Sequence, residues 1–169
     1  RHISEQLDIP AKVLKRIGKN AARTDLVATH AAHLVREYNC SVIIFAPSKD
    51  NAVELASLLL YSGIDAASVT GESSPISRRD SIKSFKDGDL SVLVNFGVLT
   101  TGFDAPNIDA VIVARPTTSV VLYSQMIGRG LRGPSMGGTK TCKIIDVVDN
   151  ILNMPRSDDA FRYFDEFYD

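Results

Sequence analysis

The chain is predicted to fold as an α/β domain, a three-layer arrangement in which helices flank a mainly parallel β-sheet. Short, continuously apolar runs alternate along the sequence with stretches whose apolar residues recur at helical spacing. Strands that are buried on both faces have such continuous apolar runs, and strands joined through helices pair in parallel. A chain of 169 residues is also long enough to bury one hydrophobic core.

Five apolar runs predict the strands of this sheet. Each run is short, rich in Val, Ile, Leu or Ala, and bounded by polar or turn-forming residues. The predicted strands are Ser41–Ala46, Ala66–Val69, Ser91–Val94, Ala110–Val113 and Cys142–Val147.

Helical segments are predicted between these strands. Ser48 is suited to cap a helix because its side chain can accept a hydrogen bond from the first turn, and Gly63 can end that helix. Pro75 suits the first position of another helix, which Gly88 ends. The predicted helices are 20–38, 49–62, 75–87 and 119–131, with a short helical lead-in expected within the first twenty residues.

The helix that starts at Pro75 carries three apolar residues, Ile76, Ile82 and Phe85. The stretch after Asp149 is acidic and aromatic, and it is expected to pack as a short helix. We therefore divide the single domain into 1–39 (lead-in and first helix), 40–149 (core) and 150–169 (acidic aromatic tail).

Composition restricts the kind of protein. Apolar residues make up 44% and charged residues 23% of the chain, no apolar run is long enough to cross a membrane, and no signal peptide is recognisable. The net charge of −1 argues against nucleic-acid binding by bulk electrostatics, although a local groove of donors remains possible. We expect a monomeric cytoplasmic domain. Because the sequence begins with Arg1 and not with a methionine, we also expect it to be a fragment of a longer protein.

The cysteines and the closely spaced histidines are not expected to bind a metal. Cys40 and Cys142 fit no metal-ligand spacing and are predicted to be buried thiols in a reducing compartment. His30 and His33 have no acidic partner on their helix, so we expect them to be surface or core histidines.

Four polar segments follow the predicted strands, and each contains hydroxyls, glycines or a helix start. In parallel sheets the carboxyl ends of the strands meet at one edge, where sites usually form. Hydroxyls and backbone N–H groups bind phosphates. The segments are 46–48, 70–74, 95–104 and 115–118. Each alone would be an ordinary loop, but together they predict a phosphate-binding surface.

A basic motif lies further along the chain, at Gln125–Arg132. Arg129 and Arg132 are three residues apart, so they lie on the same face of a helix. Two planar guanidinium groups there suit a phosphate, although a solvated basic helix end is the alternative.

Residues from about 41 to 148 resemble the second, C-terminal RecA-like motor domain of superfamily II helicases. Ile43–Ser48 resembles motif IV, and Gly71 with Arg78 resembles the element after it, although the glutamine common there is absent. Thr100–Asp104 resembles motif V, and Gln125–Arg132 resembles motif VI in its QxxGRxxR form. The sequence GFDAPNIDAVIVARPT, followed by QMIGRGLRG, is most similar to bacterial DEAD/DEAH-type helicases akin to the translocases of restriction and repair enzymes.

The resemblance implies an ATP-dependent helicase activity and assigns residues to the nucleotide. Arg132 and Arg129 would reach the γ-phosphate across a cleft between two lobes. Arg132 is the better candidate for the arginine finger. Gln125 would lie near the phosphates or the attacking water. Gly102 would allow close backbone approach, and Asp104 would contact the ribose or couple motif V to motif VI, unless it is a simple loop carboxylate.

The same resemblance assigns residues to the nucleic-acid backbone. They are Ser48, Gly71, Arg78, Thr100 and Thr101. For Arg78 the alternative is a structural ion pair with Asp80 or Asp87. The implied track is single- or double-stranded DNA or RNA, since such contacts recognise phosphates and not bases.

The implied cofactors are ATP and Mg²⁺, and the implied partner is the N-terminal RecA-like lobe of the same polypeptide. No convincing Walker A lysine or Walker B acid is present, so the missing lobe would hold the Mg²⁺ and the isolated chain would be inactive. No membrane partner is expected.

Other interpretations of the motifs are less well supported. Residues 128–133 match GxGxxG, but Pro134 and further glycines follow, so no helix can start there as dinucleotide binding requires. Residues 133–141 lack the GK[ST] order of a P-loop. A non-catalytic nucleic-acid or protein interaction module with the same fold remains the main alternative, and a Rossmann-type enzyme is disfavoured.

Overall fold

The computed structural model describes residues 9–98, 108–117 and 142–147. These ranges contain four helices and five strands, and helices and strands alternate from residue 21 to residue 96, as predicted. In chain order the elements are α1 (Ala11–Gly18), α2 (Ala21–Tyr38), β1 (Val42–Phe45), α3 (Lys49–Tyr61), β2 (Ala66–Thr70), α4 (Pro75–Asp87), β3 (Val92–Phe96), β4 (Ala110–Val113) and β5 (Lys143–Asp146).

The five strands form one sheet in the order β2-β3-β1-β4-β5, and every neighbouring pair is parallel. β1 lies at the centre, with Ile43 in register with Leu93 of β3 and Val111 of β4. The predicted three-layer α/β fold with a parallel sheet is therefore confirmed. Because β3 and β4 lie on opposite sides of β1, the carboxyl ends of these three strands meet at the middle of one edge.

Alternate residues of each strand pack into two separate clusters, one on each face of the sheet. On β1, Val42 and Ile44 face the cluster formed with α2 and α3, whereas Ile43 and Phe45 face the cluster that contains Phe85 of α4. The four β1 side chains are at most 2% exposed. Burial on both faces explains why the strand sequences are continuously apolar.

Local capping fixes where the helices begin and end. Ser48 and Ser74 each accept a hydrogen bond from the backbone N–H three residues later, at the starts of α3 and α4. Gly88 ends α4 in the left-handed conformation (φ 86°), and Gly63, with φ 83°, follows the end of α3. These predicted starts and stops are confirmed.

α4 contacts the sheet through its C-terminal half. Phe85 is buried and Ile82 is partly buried against the sheet, but Ile76 is 63% exposed. Of the three apolar residues named on this helix, Ile82 and Phe85 therefore hold it against the sheet and Ile76 does not. Ile82 and Phe85 lie three residues apart on one face of the helix, whereas Ile76 lies one turn or more before them, in the first turn.

Two predicted elements fall outside the described residues, namely the helix 119–131 and the tail 150–169. The lead-in expected before Asn20 contains α1, of which Leu14 and Gly18 are buried. His30 and His33 are both exposed on α2. In the ranges that the structure describes, no helix has the length and apolar character needed to span a bilayer.

The two cysteines lie at the amino-terminal edge of the sheet, before β1 and β5. Cys40 is buried, as predicted, and Cys142 is only partly buried. Desolvation by burial, reinforced by the negative charge of Asp109 and by Cys40, raises the pKa of the Cys142 thiol from its ordinary value of 9.0 to about 11. Burial also raises the pKa of Cys40, with Asp109 contributing.

The raised pKa of Cys142 predicts a loss of stability in alkali. The folded state disfavours the thiolate, so stability is fully present below pH 9 and falls as pH rises towards about 11, where the unfolded chain binds fewer protons. We expect the free energy of unfolding of the wild type to decrease across this window more steeply than that of Cys142→Ala. Urea titrations of both proteins at several pH values measure the difference, and parallel pH profiles would contradict the prediction.

Candidate functional site

The candidate site lies at the carboxyl-terminal edge of the sheet, where four polar segments follow β1, β2, β3 and β4. The parallel pairing places these segments on a single edge, as the sequence predicted. Their described parts are 46–48, 70–74, 95–98 and 115–117. The edge therefore gathers side chains that are far apart in the sequence.

Ser48 lies at the centre of this edge as the N-cap of α3. Its Oγ accepts from the Asn51 backbone N–H at 3.1 Å, and the residue is only 6% exposed. The side chain of Asn51 in turn donates to the Gly18 carbonyl and to the Thr24 hydroxyl, both at 3.0 Å. The Thr24 hydroxyl donates to the Asn20 carbonyl at 3.0 Å. A buried polar junction thus links α1, α2 and the start of α3.

Gly18 approaches Ser48 so closely that any side chain at position 18 would displace a neighbouring group. A Cβ on Gly18 would lie 2.7 Å from Ser48 Oγ and 3.1 Å from Asn51 Cβ. The end of α1 therefore covers the hydroxyl that the sequence assigned to the nucleic-acid backbone. The structure gives this hydroxyl a capping role, and its predicted contact with phosphate stays a prediction.

The loop after β2 presents Gly71 to solvent beside an ion pair. A Cβ on Gly71 would meet no atom within 4 Å. Glu72 Oε1 lies 2.7 Å from Lys49 Nζ at the start of α3, and this hydrogen bond, with the charge of Glu72, raises the pKa of Lys49. Ser73 Oγ accepts from the Thr70 N–H at 3.0 Å and shapes the loop. The pair joins the segment 70–74 to the start of α3, although exposed pairs stabilise little.

Arg78 lies in the first turns of α4, next to the same loop. Its Nη2 is 3.5 Å from the Ser73 carbonyl, and its buried Nε has no hydrogen-bond partner. Asp87, which was considered as a structural partner for Arg78, instead pairs with Lys83. The guanidinium of Arg78 is thus directed at the loop that contains Gly71. The family resemblance had assigned these two residues to one element.

Phe96 and Arg115 meet at this edge although nineteen positions separate them. The Arg115 Cζ lies 5.9 Å from the centroid of the Phe96 ring, within cation–π range. After β3, Asn95 Oδ1 accepts from the Val98 N–H at 3.1 Å, and Gly97 has a φ of 75° that a side chain would disfavour. This tight turn directs the chain away from the end of β3.

A pocket of about 250 Å³ opens between α1, the start of α3 and the end of β3. Its lining residues are Ala11, Leu14, Lys15, Pro47, Ser48, Lys49, Asp50 and Phe96. Sequence reasoning did not identify Lys15, Lys49 or Phe96 as site residues. Only the packing of α1 against the start of α3 brings them together, and no local sequence pattern indicates that contact.

The remaining predicted site residues lie outside the described ranges. They are Thr100, Thr101, Gly102, Asp104, Gln125, Arg129 and Arg132. Of the predicted residues that the structure describes, Ser48, Gly71 and Arg78 all lie at the carboxyl edge. Among the residues described, no group of three or more His, Cys, Asp or Glu side chains could hold a metal ion.

A five-stranded parallel sheet with this edge is the architecture of a RecA-like lobe, the motor module of superfamily II helicases. Comparison with known families makes the assignment specific. The model of the helicase conserved C-terminal domain matches residues 23–133, which is more than half of the chain. The chain therefore belongs to this family, and the resemblance found in the sequence is confirmed.

Individual proteins with similar sequences are also named as helicases. The chain is 40% identical over 109 residues to a Saccharomyces cerevisiae protein named as an ATP-dependent helicase, IRC3, covering 64% of this chain and 15% of the relative. It is 39% identical over 111 residues to a Schizosaccharomyces pombe protein named as a mitochondrial ATP-dependent helicase, irc3, covering 66% and 18%.

A solved structure shows the same fold. A fragment of a protein named as an HsdR subunit of a type I restriction enzyme from Vibrio vulnificus superposes with a TM-score of 0.67 at 27% identity, covering 82% of this chain and 28% of the other. The chain thus spans less than a third of the length of each of these three proteins.

The close approach of Gly18 to Ser48 predicts the effect of a small substitution. Gly18→Ala should lower the free energy of unfolding by about 1–3 kcal/mol, because the added methyl displaces the capping hydroxyl or α1 itself. Gly71→Ala is the matched control, since a Cβ there meets open space and should change stability by less than about 0.5 kcal/mol. Urea unfolding of both variants tests this, and equal effects would mean that α1 does not pack on Ser48 as described.

Proposed function

We propose that this chain is the second motor lobe of an ATP-dependent nucleic-acid helicase or translocase. In this proposal the lobe supplies the motif IV, V and VI residues that contact the nucleic-acid backbone and complete the ATP site. Membership of the helicase C-terminal family supports the general class. The roles of individual residues are more specific than that class.

The observation that carries the proposal is the convergence of three predicted backbone-contacting residues on one sheet edge. Ser48 caps α3 at this edge, where the backbone N–H groups of the helix N-terminus carry a partial positive charge. Gly71 leaves open space beside it, and Arg78 reaches the same loop. Amides, a guanidinium and an open glycine suit a row of phosphates. Phosphates are common to DNA and RNA, so either nucleic acid fits this surface.

The nucleotide-contacting residues of the proposal lie elsewhere in the chain. Arg132 acts as the arginine finger, with Arg129 and Gln125 close to the same phosphates. Gly102 and Asp104 lie beside the nucleotide. ATP and Mg²⁺ are held mainly by a second RecA-like lobe, which is why the proposal requires that lobe in the same polypeptide.

The two lobes give the proposed motor its cycle. ATP joins them because both contact its phosphates, and an arginine finger stabilises the charge that develops during transfer. Loss of the γ-phosphate after hydrolysis allows the two lobes to separate. Repeated closing and opening would move the backbone contacts at Ser48, Gly71 and Thr100 along the track.

Replacement of Arg132 tests the proposal in the full-length protein. Arg132→Ala should lower nucleic-acid-stimulated ATP hydrolysis by about 10³-fold or more in kcat, because the transition-state charge loses its partner. ATP affinity should change little. Steady-state hydrolysis with single-stranded and duplex DNA and RNA, together with equilibrium nucleotide binding, measures both effects.

Arg36→Ala serves as the matched control, since Arg36 is exposed and hydrogen-bonded to the Ser62 carbonyl, away from the carboxyl edge. This variant should hydrolyse ATP like the wild type, and the isolated chain should show negligible turnover. Unchanged hydrolysis in Arg132→Ala would remove the arginine-finger assignment. Absence of hydrolysis by the wild type on every nucleic acid would favour the non-catalytic interaction module.

A further inference from the structure

The lining of the pocket at the carboxyl edge is chemically mixed. It includes the apolar residues Leu14, Pro47 and Phe96. It also includes the cationic side chains of Lys15 and Lys49 and the carboxylate of Asp50. Apolar lining residues beside cations are poorly suited to an inorganic anion alone, because burying a phosphate against apolar groups has a large desolvation cost.

The size of the pocket restricts its occupant. A volume of about 250 Å³ lies just below the ~300–1,000 Å³ of sites for drug-sized ligands. It therefore suits a small planar group better than a whole nucleotide, and it cannot enclose a base pair together with its backbones. A phosphate attached to that group would remain outside, within reach of the long lysine side chains.

Phe96 supplies an aromatic surface at the level of the proposed backbone contacts. The residue ends β3, is only partly buried, and has the Arg115 guanidinium 5.9 Å from its ring centroid. Phe96 also lines the pocket, and its side chain packs partly against the hydrophobic core. Single-stranded nucleic acids bind proteins by this combination of cations along the backbone and aromatic rings that stack with bases.

We propose that this pocket binds one unstacked nucleobase of a single strand, with Phe96 as the stacking surface and Lys15 and Lys49 next to the flanking phosphates. The inference rests on the proposed nucleic-acid interface and makes it more specific. A base can leave its stack and enter the pocket in a single strand but not in an intact duplex. The lobe therefore holds its track in single-stranded form.

Glu72 modulates this binding through its ion pair with Lys49. The carboxylate lies 2.7 Å from the ammonium and offsets its charge at the pocket. A phosphate must compete with Glu72 for Lys49, so Glu72→Gln should strengthen binding and Lys49→Ala should weaken it. Both changes alter the contact with the backbone phosphates, so they should affect normal strands and strands that lack bases equally.

The decisive experiment compares two strands that share the same backbone. One is a fluorescein-labelled deoxythymidine oligonucleotide, and the other has the same length but abasic sites at every position except the labelled end. Fluorescence anisotropy with the full-length protein measures the affinity for each. Wild type should bind the normal strand more tightly, and Phe96→Ala should weaken that binding by about 10-fold while leaving the abasic strand within 2-fold.

Two further variants separate stacking from packing. Phe96→Leu keeps an apolar side chain against the core but removes the ring, so it should behave like Phe96→Ala on the normal strand. Phe96→Tyr keeps the ring and should retain wild-type affinity. Affinity for a blunt duplex should be the same in all four proteins, because a paired base does not enter the pocket.

The possible outcomes distinguish this inference from the proposed function. Equal loss on normal and abasic strands in Phe96→Ala would show a packing role and overturn the base-binding proposal. Wild-type affinity of Phe96→Ala for the normal strand would overturn it as well, with the nucleic-acid interface intact. Failure of the wild type to bind any strand or duplex would instead overturn the proposed function itself.

Discussion

The parallel pairing of β1 between β3 and β4 is the constraint on which the site depends. Because these three strands run in the same direction and in register, their carboxyl ends meet at one edge. Ser48, Phe96 and Arg115 come together there only for this reason. The apolar side chains that bury both faces of β1 are therefore also what positions the polar groups of the edge.

The strands and most helix boundaries could be predicted from the sequence because their causes are local. A run such as Val42–Phe45 is apolar since both of its faces are covered, and Ser48, Ser74 and Gly88 act on residues at most a few positions away. Position at the carboxyl edge was equally predictable, because it follows from strand direction alone. This is why Ser48 and Gly71 were placed at the edge correctly.

Contacts between distant segments could not be predicted in the same way. Periodicity gives no indication that Gly18 covers Ser48, that Lys49 meets Glu72, or that Arg115 lies over Phe96. Each depends on how two separately formed elements pack. The exposure of Ile76 has the same origin, since the part of α4 that touches the sheet is decided by tertiary packing and not by the helix pattern.

The junction around Asn51 has a consequence for the dynamics of α1. This helix has eight residues, of which only Leu14 and Gly18 are buried, and a hydrogen bond from the Asn51 side chain to the Gly18 carbonyl completes its attachment. So short a helix is marginal by itself, and few apolar contacts oppose its release. Its amides should therefore exchange with solvent through local opening before those of α3, whose core side chains are buried. The wall of the pocket formed by α1 is thus a low-stability segment resting on a rigid sheet, and its displacement would leave the fold beneath undisturbed.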